Sequence, residues 1–262
     1  MTIVLIAIVA YLAAALLLAR ALNASGAGVA RGWLAAAIPA LLLHAGYHVQ
    51  VAWSAGGPDL HFFSALSLVS LGMAGMTTLV GARGRMAALG VFAFPLAAVL
   101  LGAYHWHGHA PSPPLDWRLQ LHAWLALLAY ATLAIAALTA LMLRVQDRAL
   151  RQRRFNAWMR ALPPLTELET LLFRTIAVGF ALLSLVLLTG VLFVEDLLSQ
   201  HLVHKTVLSV LSWLVFGILL LGRWRYGWRG VRAVRWTLAA MVLLLLAFFG
   251  SKFVLELVLR QP

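Results

Sequence analysis

Long apolar runs, each closed by a short polar stretch, are the dominant pattern along this chain. Runs of comparable length fall near 2–19, 32–53, 62–80, 86–104, 120–143, 171–194, 205–222 and 236–258. A helix rises about 1.5 Å per residue, so a hydrocarbon core of about 30 Å takes roughly 20 apolar residues to cross. Backbone groups in lipid must be satisfied within their own segment, which makes each run a predicted helix. The strict apolar–polar alternation of a membrane barrel strand is absent. The expected fold is therefore all-α, a polytopic integral membrane helical bundle of about eight transmembrane helices. The first run has no basic residue before it and Arg20 after it, the reverse of a secretory signal, so it is read as a retained span.

Composition agrees with the pattern: 63% of the 262 residues are hydrophobic and 11% charged, whereas soluble domains carry about 25% charged residues. Cysteine is absent, which excludes disulfides and thiolate metal sites. The formal charge of +12 points to topology once the basic residues are placed. Arg20 and Arg31 flank the first loop, and Arg83 and Arg85 sit in the third. Arg144, Arg148, Arg151, Arg153, Arg154, Arg160 and Arg174 mark the fifth, and Arg223, Arg225, Arg229, Arg232 and Arg235 fill the seventh. Sixteen of the 20 basic residues thus share one side, which the positive-inside rule assigns to the cytoplasm. Both termini are then expected outside (N-out/C-out), in a bacterial cytoplasmic (inner) membrane. Anionic lipid headgroups are the natural counter-charge, and no nucleic-acid partner is expected. The chain reads as a single transmembrane domain over 1–262. Spans one to five (1–143) and six to eight (171–262) are joined by a basic loop, 144–170. In that loop Pro163-Pro164 interrupts helix, and Thr166 with Glu169 reads as a capping box opening the sixth span.

On this topology all nine histidines fall on the outer half. His44 and His48 are four apart near the end of the second span, on one helix face. His61 follows in the next loop, and His105, His107 and His109 form an alternating tract that resembles a small zinc or copper site. His122 opens the fifth span, and His201 and His204 precede the seventh. Imidazole is a common metal ligand and a usual axial ligand of haem iron. Arg118 and Lys205 are the outer cations available to a pair of propionates. A plain alternative stands beside this, since interfacial histidines and tryptophans also occur simply as amphipathic residues at the water boundary. Glu195 and Asp196 lie near His201, His204 and Lys205, and Lys252 and Glu256 are four apart in the last span. Intramembrane ionisable groups are functional candidates by default.

Specific stretches carry a family resemblance. The fifth span opens Leu121-His122-Ala123-Trp124-Leu125-Ala126-Leu127-Leu128-Ala129-Tyr130, and Gly227-Trp228-Arg229-Gly230 and Phe249-Gly250 follow later. These resemble the cytochrome c assembly membrane proteins of the CcsA and HemX type, most nearly the short YpjD-like inner membrane proteins. The likeness is greatest from about Leu119 onward. It implies haem handling at the outer face, with non-covalent haem b as cofactor. By resemblance His122 matches an outer-face haem ligand, and His44, or less well His48, matches the histidine buried in the membrane.

The haem synthetases of that family carry a tryptophan-rich outer loop ending in Asp-Pro. The stretch Glu195 to His204 has neither tryptophan nor proline. No soluble-enzyme motif occurs either, so the expectation is a non-enzymatic accessory of cytochrome c biogenesis or haem export. Cytochrome c maturation proteins or another integral membrane protein are its expected partners. His44, His48, His122, His201, His204, Arg118 and Lys205 are its candidate binding residues. A small-molecule or metal-ion permease and a non-catalytic membrane scaffold are the competing readings.

Overall fold

The computed structural model describes residues 1–24, 31–82, 85–109, 116–153, 162–193, 200–250 and 252–253, and the side chains at 24, 55, 85, 86 and 200–202 lie outside that description. Within it the chain is all-helical. The long helices are α1 (Thr2–Ala24), α2 (Leu34–Ala55), α3 (Phe62–Gly81), α4 (Gly90–His107), α5 (Trp117–Arg151), α6 (Leu165–Phe193), α7 (Gln200–Tyr226) and α8 (Gly230–Leu245). Short 3₁₀ turns, Arg31–Trp33 and Arg85–Leu89, lead into α2 and α4, and α8 continues as a π turn over Leu246–Gly250. Among the described residues, eight segments are long and apolar enough to cross a bilayer.

Most helices outrun their apolar stretches. α5 continues to Arg151 through a polar, arginine-bearing end, and α6 begins at Leu165 instead of near 171. A helix needs no hydrophobicity past the lipid, only satisfied backbone. Thr166 consequently lies inside the first turn of α6 and is not its cap. The Glu169 carboxylate turns away to accept Arg229 Nε at 2.8 Å and the Gly230 backbone N–H at 3.0 Å. The expected capping box is replaced by a side chain that holds the start of α8.

By packing, the chain forms two compact units. One comprises Met1–Pro114 with Arg148–Pro164, and the other Leu115–Asp147 with Leu165–Pro262. Four long helices fall to each, where the basic loop in the sequence separates five spans from three. In the first unit α1 packs on α2 and α4, and α3 on α4. Small residues allow this: an added Cβ at Gly90 would meet Leu18 Cδ2 at 2.8 Å and Phe94 Cε2 at 2.6 Å. Val4, Ala7, Tyr47, Val51, Leu101 and Tyr104 form a buried cluster near one end of this unit.

In the second unit α7 packs on α6 and α8. Gly179 of α6 lies against α5 so closely that a Cβ would stand 2.4 Å from Leu133 Cδ2. The Tyr130 hydroxyl of α5 donates to the Leu244 carbonyl, two residues before the π turn.

Candidate functional site

The first unit gathers histidines at one end, whereas the second holds His122 in a groove. In the first unit α2 is closed by Gly56 at φ 73°, a left-handed cap whose N–H returns to Ala52 O. Its last turns place His44 and His48 on one face, with their rings stacked at 5.4 Å between centroids. His44 is fully buried. Its Nδ1 lies 3.1 Å from the Tyr11 hydroxyl of α1, and its Nε2 lies 2.9 Å from Ser67 Oγ of α3. His48 Nε2 meets the same Ser67 oxygen at 2.9 Å. Both ring nitrogens of His44 are therefore engaged inside the bundle, as a buried polar group requires.

Toward the helix ends the network turns on Asp59, which is 5% exposed. Its Oδ1 lies 2.6 Å from His61 Nδ1 and accepts the His61 backbone N–H at 3.2 Å. Its Oδ2 accepts the Tyr104 hydroxyl at 3.3 Å and faces His109 Nδ1 at 3.9 Å. Burial alone would raise this carboxyl, but the hydrogen bonds and charge of His61, with the Tyr104 bond, prevail and lower it from its ordinary value. His109 is also lowered, chiefly by burial, with the Asp59 charge opposing and His61 and His105 reinforcing. Tyr47 of α2 completes the end, its hydroxyl 2.7 Å from His105 Nδ1 and 3.0 Å from His109 Nε2. His107 stands apart from these, bonded through Nδ1 to Ala103 O and stacked on Phe63.

The second unit holds an open groove instead of a closed network. His122 and Tyr130 of α5, Gly190 of α6, Lys205 of α7 and Phe248 of the π turn are among its lining, around a cavity of about 220 Å³. His122 Nδ1 lies 3.0 Å from Thr189 Oγ1. That threonine hydroxyl already donates into its own helix, toward Leu185 O at 2.9 Å and Val186 O at 3.0 Å. With its single proton used there, it accepts from His122, so Nδ1 carries the ring proton and Nε2 keeps a lone pair. The backbone of Val186 bonds the same imidazole. Gly190 makes room for the ring, since a Cβ there would come within 3.4 Å of His122 Cε1.

The sequence-predicted residues therefore separate. His122 and Lys205 share the groove, whereas His44 and His48 belong to the first unit's network. Arg118 is exposed on the first turn of α5, its guanidinium 5.7 Å from the Trp117 ring centroid, and is not among the groove-lining residues. His204 is exposed on α7. The side chain of His201 lies outside the described residues, as do Glu195, Asp196 and Glu256. Lys252 sits with its ammonium 5.4 Å from the Phe248 ring centroid. Among the described residues, no three His, Asp or Glu side chains gather as a metal-binding group. Sequence reading missed Thr189, Tyr47 and Asp59. Thr189 sits in a span where Ser and Thr hydroxyls ordinarily bond their own helix, Tyr47 reads as an amphipathic aromatic near a span end, and Asp59 sits in a short loop.

Comparison with known proteins bears on the whole chain. The profile described as Cytochrome C assembly protein matches residues 33–259. The inner membrane protein YpjD of Escherichia coli (strain K12) is 34% identical over 266 residues, covering 97% of this chain and 98% of that protein. An uncharacterized 28.8 kDa protein of Azospirillum brasilense is 39% identical over 57% of this chain and 58% of its own length. Protein HemX of Brevibacillus brevis is 28% identical over 50% of this chain and 49% of its own. No solved structure matches the chain significantly. With a family profile covering most of its length and a full-length relative, this multi-pass helical chain belongs to the cytochrome c assembly protein family.

Proposed function

We propose that this chain is a haem-handling protein of the bacterial inner membrane that serves cytochrome c biogenesis, and that haem b rests non-covalently in the groove of the second unit. The observation that carries this reading is His122: an imidazole whose Nδ1–H is spent on Thr189, leaving the Nε2 lone pair for a metal. A ligating histidine is ordinarily oriented by such a bond at its other nitrogen. The donor set and the lining suit an apolar macrocycle with anionic edges. His122 would hold the iron, the apolar side chains of α5, α6 and the π turn would cover the ring, and Lys205 would take a propionate. Bound there, haem supplies an iron centre, while the chain's own groups orient it and exclude water from one face.

The cavity, at about 220 Å³, is smaller than the roughly 300–1,000 Å³ that enclose a ligand fully. This supports a surface for holding and passing haem on, in keeping with assembly and not with a permanent redox site. His44 has both ring nitrogens engaged, so the proposal assigns the iron to His122. The arginine asymmetry of the sequence supports placing the groove and both termini on the outer side.

The test is an absorption spectrum of detergent-purified protein from haem-replete cells, oxidised and reduced, with haem titration of the apo form. A Soret band that disappears in His122→Ala and persists in His44→Ala is expected. Protein that stays colourless through the titration would overturn the reading and leave transport and scaffolding to be assayed.

A further inference from the structure

The tract His105-Trp106-His107-Gly108-His109 plays no part in the groove, yet the fold arranges it in a particular way. α4 ends at His107, and Gly108, at φ 80°, reverses the chain in a conformation that side-chain-bearing residues rarely adopt. That reversal brings His109 back beside His105, so the first and last histidines of the tract converge on one atom, the hydroxyl oxygen of Tyr47. The separations are 2.7 Å to His105 Nδ1 and 3.0 Å to His109 Nε2. His107 is directed elsewhere, onto Phe63 and Ala103 O.

We propose that Tyr47, His105 and His109 form a copper(II) site, with the phenolate oxygen and the two imidazole nitrogens as ligands. The edge lengths support it. Two ligands at right angles, each about 2.0 Å from one metal, stand about 2.8 Å apart, and tetragonal nitrogen–oxygen sets select Cu(II). Both observed oxygen–nitrogen separations are hydrogen bonds here, and their lengths also match such an edge. One phenol proton lies between two imidazoles, so one ring presents its lone pair and the other its N–H. Metal binding sends the phenol proton to water and moves the N–H proton to that ring's other nitrogen. For His109 that other nitrogen already faces the Asp59 carboxylate at 3.9 Å, the outer partner that metal-bound histidines favour.

Tyr47 is held in place, 7% exposed with its ring edge-on to Tyr104 at 5.7 Å, while His109 is exposed and open to an incoming ion. With no cysteine in the chain and two imidazoles plus a phenolate as donors, the site suits Cu(II) over Cu(I). It lies wholly in the first unit and is independent of the haem reading.

Cu(II) titration of the apo protein in detergent, in a His122→Ala background, tests this by electron paramagnetic resonance and visible absorption. The expected result is one tetragonal Cu(II) with hyperfine coupling to two nitrogens and a phenolate-to-copper charge-transfer band. Tyr47→Phe should remove the band while leaving the fold intact. His105→Ala and His109→Ala should each weaken binding about tenfold or more, and His107→Ala should leave it unchanged. If His107→Ala weakens binding as much as His105→Ala while Tyr47→Phe changes nothing, the copper is held by the tract as a flexible peptide and the proposal is wrong. Absence of any stoichiometric Cu(II) signal overturns it equally.

Discussion

Replacing Thr189 by valine keeps the branched shape of the side chain and deletes the oxygen that accepts His122 Nδ1–H at 3.0 Å. Thr189 is itself 9% exposed, so valine fills the same space without meeting new solvent. The N–H of a half-buried ring then loses its hydroxyl acceptor and keeps only the Val186 backbone contact, a change bounded by the roughly 1–3 kcal/mol of a fully unsatisfied group. Loss of such an orienting bond typically lowers metal affinity about 10- to 100-fold, or about 1.4–2.8 kcal/mol, so the two ranges agree. Haem titration followed at the Soret band should therefore show Thr189→Val binding about 10- to 100-fold more weakly than the unsubstituted chain. Thr189→Ser, which retains the hydroxyl, should bind nearly as well. Nitrogen-15 spectra of the apo protein give a second reading that needs no haem. The His122 signals should be those of the Nδ1–H tautomer and should shift toward a tautomer mixture in the valine variant. If valine binds haem as tightly as threonine while His122→Ala does not bind, Thr189 does not orient the ligand and the tautomer argument fails.

Two further outcomes concern stability. Gly179→Ala would set a Cβ 2.4 Å from Leu133 Cδ2 and 2.7 Å from its Cγ, and Leu133 is fully buried. Melting in detergent should show a loss of about 1–3 kcal/mol, the usual cost of overpacking, with Gly190→Ala losing less; equal melting of Gly179→Ala and the parent would contradict the packing. Acidification is the other. Asp59 and His109 are both lowered from their ordinary values of 3.8 and 6.5, so each binds protons more weakly folded than unfolded. Their contribution is complete above pH 6.5, begins to fall through His109 below that point and falls again through Asp59 below pH 3.8. Melting temperatures across that range should decline in two stages, and Asp59→Asn should remove the lower one; an unchanged lower stage would clear Asp59 of that role.

The fold was legible because lipid leaves so few solutions. Among the described residues each apolar run of spanning length is helical, and only the ends were misjudged, as at Leu165 and Arg151, where helix persists beyond the hydrophobic window. The same-face pairing of His44 and His48 followed from their spacing. Contacts between distant segments did not follow from spacing. Nothing local distinguishes Ser67, buried between two imidazoles, from a serine bonded to its own helix. Glu169 satisfied a capping pattern with Thr166 in sequence, yet the nearby start of α8 offered it a guanidinium and a backbone N–H together. The histidine tract was visible as composition, but only the reversal at Gly108 decides which two of its three members meet.

The π turn at Leu246–Gly250 supplies Ala247 and Phe248 to the groove wall. Such a turn amounts to one residue accommodated within an otherwise regular helix. Residue number, as distinct from residue identity, then fixes which side chains face His122. Deleting a single residue ahead of Phe248 would let the helix relax to its ordinary winding and move the remaining residues of the turn back by one position, about 100° around the axis. Phe248 would swing off the groove although no side chain had been altered. Substitution scanning would leave this control on the groove's shape undetected, whereas single-residue deletion and insertion would reveal it.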